Sequence, residues 1–293
     1  MKKNRTVAIE LIFDIANYML MFIILAVVTY PFLYVLSYSL SDPSRLKGGL
    51  MVRPMGLNLE AFRLCLINRD VLNGLYISVL RTVIGTFSMI VVTSMAAYAV
   101  TRDDLVGVKF IRKLFVFTMY FSSGLIPTYV LIKSLHLTGS FLVYILPGMI
   151  SVFNLVLIKT YIESLPKSLQ EVALIDGAND MVIFFKIIFP ISIPVIAAVS
   201  LFSSVGQWNS FIDTQLYNSM NPKLYPLQYV LYNFVSSQTY SLEQAQQAAT
   251  QTMITPQTMR MAITIITIIP ILFVYPFLQK YFISGLLVGS VKG

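Results

Sequence analysis

Residues 171–190 read EVALIDGANDMVIFFKIIFP, a polar helix-turn-helix signal set between long apolar runs. Ser168 and Glu171 stand at the S-x-x-E spacing of a capping box, in which each side chain satisfies an orphan backbone N–H, so a helix is expected from near Leu169. Gly177 follows about two turns later, where a left-handed residue closes a helix without the Cβ penalty of roughly 1–2 kcal/mol that other residues carry. Asn179 is then placed to cap a second helix through Met181, Phe184, Phe185 and Ile188. Pro190 lacks an amide donor and clashes with the preceding turn, so it is expected to end that helix. Two short helices in this setting form a docking handle; an amphipathic helix lying on the membrane is the alternative.

Outward from the handle the chain is a membrane object. Its 293 residues are 57% hydrophobic and 12% charged, against about 25% charged in soluble proteins. Apolar runs near Ile15–Leu36, Leu75–Val100, Leu114–Ile132, Phe141–Ile158, Ile187–Val205 and Met261–Leu278 are long enough to cross about 30 Å of hydrocarbon. Six transmembrane helices in one all-α bundle over residues 1–293 are expected, because open strands and loops leave backbone groups unsatisfied in lipid. The first run follows Lys2, Lys3 and Arg5, yet it is too long for a signal peptide, contains Tyr30-Pro31 and has no small-residue cleavage site. A retained first helix with a cytosolic amino terminus is expected.

Lys and Arg in the loops set the orientation. Arg102, Lys109, Arg112 and Lys113, and Lys159, Lys167 and Lys186 around the handle, belong inside, with Lys280 and Lys292 marking a cytosolic carboxyl tail. Residues 209–258 carry only Lys223 and belong outside. Residues 41–70 are forced outside although they hold Arg45, Lys47, Arg53, Arg63 and Arg69. Such a loop attracts an anionic solute or partner, or contacts lipid head groups. The net charge of +8 thus follows from topology and does not argue for nucleic acid. Cys65 has no disulfide partner and, in the external loop, is expected to report topology; His136 is equally alone, so neither a metal cluster nor a catalytic pair is expected. The chain has no G-x-x-x-x-G-K-[ST] loop, so ATP and Mg are assigned to a separate subunit.

The six runs are nearly bare of ionisable residues, which removes the relay that a proton- or sodium-coupled carrier needs. Arg81 is the exception, about two turns into the second helix; it snorkels, pairs structurally or meets an acidic solute. Ser122-Ser123-Gly124 with Pro127 interrupts the third run between Tyr120 and Tyr129, and the fifth ends in Ser203-Ser204-Val205-Gly206-Gln207-Trp208-Asn209. Tyr120, Ser123, Gly124, Tyr129, Gln207, Trp208 and Asn209 are therefore candidate pathway residues, since hydroxyl, amide and aromatic groups suit a sugar's hydroxyl edge and apolar C–H face. The same residue types also serve close helix packing and membrane interfaces. Residues 209–258, with Asn221-Pro222, Tyr225-Pro226-Leu227 and the SLEQAQQAATQ stretch, are expected to form an external lobe.

Glu171, Ala173, Gly177, Ile187 and Pro190 match the EAA motif of the membrane subunits of binding-protein-dependent ABC importers, with apolar replacements at Val172 and Phe189. Trp208-Asn209, Tyr225-Pro226-Leu227-Gln228, Tyr275-Pro276-Phe277 and Val291-Lys292-Gly293 resemble the maltose-type carbohydrate permeases, so the resemblance covers essentially the whole chain. It implies a permease subunit of a prokaryotic inner membrane with both termini cytosolic, surrounded by membrane lipid. The implied partners are a homologous permease, two ATPase subunits that bind ATP and Mg, an external solute-binding protein and an oligosaccharide. By this carry-over Glu171, Ala173, Asp176, Gly177 and Pro190 belong to the coupling segment that fits the ATPase. The chain is also similar to alginate-importer permeases; the basic loop is compatible with such an acidic glycan, and neutral oligosaccharides are compatible with every motif. A permease for a non-sugar solute and a non-transporting membrane scaffold remain as alternatives.

Overall fold

The computed structural model describes residues 2–46, 49–236 and 254–290, with side chains of 10–46, 49–236 and 254–276. Its regular elements are helical, with one isolated antiparallel bridge, Ser41–Leu57. The SLEQAQQAATQ stretch and Val291-Lys292-Gly293 lie outside the described residues. The chain divides into two compact units, Met1–Asn68 with Asn233–Ile268, and Arg69–Tyr232 with Ile269–Gly293.

In the first unit, α1 (Lys2–Ser39) is apolar on every side from Met19 to Val28, and its most apolar window has no buried residue. A helix hydrophobic all round suits a membrane span or burial against another chain. The chain then turns back on itself: Ser41 Oγ donates to Ser37 O (2.6 Å) and accepts from Met55 N (3.0 Å). Asn58 Oδ1 accepts the Glu60 amide (2.8 Å) at the start of α2 (Glu60–Ile67), on which Cys65 is fully buried. Cys65 is therefore no ready reporter of topology.

In the second unit, α3 (Arg69–Thr101) is the central helix and packs chiefly on α9 (Ile193–Asn209) and α6 (Val152–Glu163). Between them lie α4 (Val108–Tyr120), α5 (Leu125–Ser134), short 3-10 turns Phe141–Tyr144 and Leu146–Gly148, α7 (Ser168–Ile175) and α8 (Asp180–Ile191). Its core joins Ala97 and Tyr98 of α3, Leu155, Ile158 and Ile162 of α6, Ile183, Phe184 and Ile188 of α8, and Val195 and Val199 of α9. Two further helices cross the boundary between the units, α10 (Leu227–Ser236) and α11 (Pro256–Ser290). The latter stays helical through Gly285 to Ser290.

All six apolar runs are helical, but only those in α1, α3 and α11 are single unbroken helices. The break expected at 122–124 is present, and α4 and α5 meet at 117°. A second break, of 43°, precedes α6, where Thr93 Oγ1 donates to Met149 O (3.0 Å) and accepts from Ser151 N (3.3 Å), replacing helical bonds with a side chain of α3. The third, of 80°, falls at Ser192 between α8 and α9. The helix expected to end at Pro190 ends one residue later, at Ile191: residues 184–188 widen into a π turn, Phe189 N–H reaches Phe184 O five residues back, and the wider turn admits the proline ring just before the break. The capping box does not form either, because the turn at Pro166–Lys167 starts α7 one residue early and leaves Ser168 inside its first turn with no capping bond.

Candidate functional site

Arg81 neither snorkels nor stands free. Burial of a guanidinium is tolerated only if its donors are all paired, and each of its five N–H groups has an acceptor. Nε and Nη2 donate to Gln207 Oε1 (3.2 Å each), Nη1 to Ser210 O (3.2 Å) and Asp213 Oδ1 (3.3 Å), and Nη2 to Asp213 Oδ2 (2.5 Å). The Tyr144 ring covers the guanidinium carbon at 4.3 Å, a cation–π contact. Gln207 also donates through Nε2 to Tyr144 O (3.2 Å), and Tyr144 Oη donates to Leu224 O (2.8 Å). Arg81 of α3 thus ties the end of α9 to the 3-10 turn before α6.

This cluster forms one wall of a cleft of about 400 Å³, within the size range of small-ligand sites. Thr128, Ser203, Gly206, Ser210, Asp213 and Tyr217 complete its polar lining beside Ile132, Val143 and Pro147. Tyr217 stacks on Tyr129 with ring centroids 5.9 Å apart and planes 14° from parallel. Of the expected pathway residues, the cleft brings together Gln207 directly and Tyr129 through Tyr217. Trp208 is buried on the other side of α9, lining an apolar cavity of about 220 Å³ with Val79, Val83, Leu201 and Val274. Tyr120, Ser123, Gly124 and Asn209 are exposed and not part of the cleft lining. Asp213 and Tyr217 were not among the expected pathway residues: they follow the fifth run, in the segment assigned to the external lobe.

The helix-turn-helix of residues 168–191 packs at the carboxyl end of α3. Gly177 N–H donates to Leu174 O and Ala178 N–H to Ala173 O, both at 3.0 Å. With Gly177 at φ +79, this is a Schellman close to α7. Asn179 Oδ1 accepts the Val182 amide (2.9 Å) and caps α8 as expected. Ala173 is buried in the core, whereas Glu171, Asp176, Gly177 and Pro190 are exposed. Arg102 fastens α8 to the end of α3, bonding Asp104 through two nitrogens (2.9 Å each) and Asp180 through Nη1 (3.2 Å). Asp104 holds the Arg102 guanidinium above the usual arginine range, and the same bond pulls the Asp104 carboxyl below the usual carboxylate range. Val172, Ile175, Met181 and Phe185 present an exposed apolar face on α7 and α8.

Broken apolar helices around a cleft that carries polar groups, with two short helices held at one end of the central helix, define an all-α membrane protein built for transport. Residues 8–288 match the family described as binding-protein-dependent transport system inner membrane component, and the chain belongs to that family. It is 38% identical over 280 residues to the polygalacturonan/rhamnogalacturonan transport system permease protein YtcP of Bacillus subtilis, covering 95% of this chain and 97% of that protein. It is 29% identical over 227 residues to the arabinooligosaccharides transport system permease protein AraQ of Halalkalibacterium halodurans, covering 75% and 73%. A crystal structure of a bacterial ABC transporter involved in the import of the acidic polysaccharide alginate contains a chain of the same fold, with TM-score 0.87, 28% identity and coverage of 92% and 96%.

Proposed function

We propose that this chain is the permease subunit of a binding-protein-dependent ABC importer and forms half of the pathway for an oligosaccharide. The observation that carries this reading is the cleft, in which hydroxyls, a half-buried amide and a stacked tyrosine pair converge inside a largely apolar unit. The relatives support it, being named for saccharides both acidic and neutral. A homologous permease would close the pathway, an external solute-binding protein would deliver the sugar, and two ATPase subunits would bind ATP and Mg. Both termini are cytosolic in this arrangement.

Coupling is assigned to Glu171, Ala173, Asp176, Gly177 and Pro190. Ala173 anchors α7 in the core, Gly177 sets the turn between the helices, and Glu171 and Asp176 offer charge beside the exposed Val172 and Ile175. An apolar face of this kind on a charged rim suits docking of a protein partner. Motion of the docked handle would reach α3 through Arg102–Asp180 and through the Tyr98–Phe184 ring contact at 5.5 Å.

The test uses the assembled complex in vesicles with labelled oligosaccharide. Glu171→Ala should weaken ATPase retention, by on the order of 2–5 kcal/mol if its partner charge is buried at the interface and about 0–1 kcal/mol if exposed. A Cβ at Gly177 meets no atom within 4 Å, but its φ is +79, so Gly177→Val should act chiefly through backbone strain and reduce uptake without preventing membrane insertion. Full uptake with normally bound ATPase subunits in both variants would sink the assignment.

A further inference from the structure

We propose that Asp213 is a specificity-determining residue of the cleft, turning this wall toward uncharged, hydroxyl-bearing sugar units and away from carboxylates. The proposal rests on the reading of the cleft as part of the sugar pathway. A lone arginine in a pathway suggests an anchor for acidic sugars, and the geometry argues the opposite. All five guanidinium N–H groups are spent on Gln207, Ser210 and Asp213, and the Arg81 side chain is 2% exposed while that of Asp213 is 23% exposed. The formal charge accessible from the cleft is therefore the carboxylate. An approaching uronate meets no free cationic donor and one like charge. An approaching hydroxyl meets an acceptor.

The rest of the lining agrees. Thr128, Ser203 and Tyr217 add hydroxyls without charge, and the Tyr217–Tyr129 pair offers an aromatic platform for the C–H face of a sugar ring. Asp213 is itself held in place, since its Oδ1 accepts the Thr214 amide at 2.8 Å. It acts as a fixed charge filter, and a glycan bearing carboxylates would pass with them turned from this wall.

Galactotriose and trigalacturonate, which differ in carrying a hydroxymethyl or a carboxylate on each ring, test the idea. The complete membrane complex in nanodiscs, without its solute-binding protein, is titrated with each and with mixtures, and bound sugar is read by saturation-transfer NMR. Asp213→Asn leaves Arg81 uncompensated and should shift the galactotriose-to-trigalacturonate preference toward the acid by about tenfold or more, because charges a few ångströms apart in a partly desolvated site interact well above thermal energy. Arg81→Gln combined with Asp213→Asn carries no charge and keeps amide donors and acceptors; it should shift the preference the same way but less, and it serves if the single variant does not assemble. A preference unchanged from wild type in the single variant, or in the double variant where the single one fails to assemble, overturns the proposal. Failure of the wild-type complex to bind either sugar overturns the pathway reading beneath it, which separates the two.

Discussion

At the scale of single residues, the buried charge of Arg81 dictates its neighbours, and the space around Gln207 is the tightest consequence. A Cβ added at Gly85 would lie 2.7 Å from Gln207 Nε2, whereas one at Gly148 would lie 3.6 Å away. Gln207 cannot retreat without losing its bonds to Arg81 or to Tyr144 O. Gly85→Ala is therefore expected to destabilise the chain by about 1–3 kcal/mol, the usual cost of overpacking, while Gly148→Ala stays near wild type; thermal denaturation of the purified complex compares them. Equal melting of the two variants would remove Gln207 from its pivotal position. Arg81 and Gln207 were legible in the sequence as a lone charge and a polar helix end. Asp213 was not, because pairing across 132 residues leaves no local trace.

At the scale of elements, the turn between α7 and α8 was largely legible because its signals are local: Gly177 and Asn179 do what their backbone preferences allow. The capping box failed because Pro166 starts the helix earlier than Ser168 could cap it. Asn179→Ala should loosen the start of α8 by about 1 kcal/mol and Asn179→Asp should retain the cap. Uptake per ATP hydrolysed measures the effect, and identical coupling in the Ala and Asp variants would mean that the cap does not position α8. The breaks divide by the same logic. Ser122-Ser123-Gly124 is visible as a run of helix-weakening residues. The break before α6 depends on a hydroxyl from another helix, Thr93, and the Ser192 break was masked by a proline that a π turn absorbs.

At the scale of the whole molecule, composition and run length were enough for an all-α membrane protein with six apolar runs, and of the three bends that make half of them into broken spans only the one at 122–124 was visible in the sequence. The outside placement of residues 41–70 can be tested in a Cys65→Ser background. A cysteine introduced at Leu50, which is 86% exposed, should react with a membrane-impermeant maleimide on intact cells; labelling only after lysis would reverse the topology. Native Cys65 should not react, because burial pushes its thiol up to about 11 and the thiolate is the reacting form. The raised value means that its alkylation stays far slower than that of a free thiol near 8.5 at every pH from 7 to 9; rapid labelling at pH 9 would show the site to be open. The Arg81–Asp213 pair also has a consequence for how the chain is made. Its two members are 132 residues apart, and at roughly 5–20 residues per second of synthesis the carboxylate emerges on the order of ten seconds after the guanidinium. During that interval the ribosome and the insertion channel must shelter a bare cation that the finished protein neutralises itself.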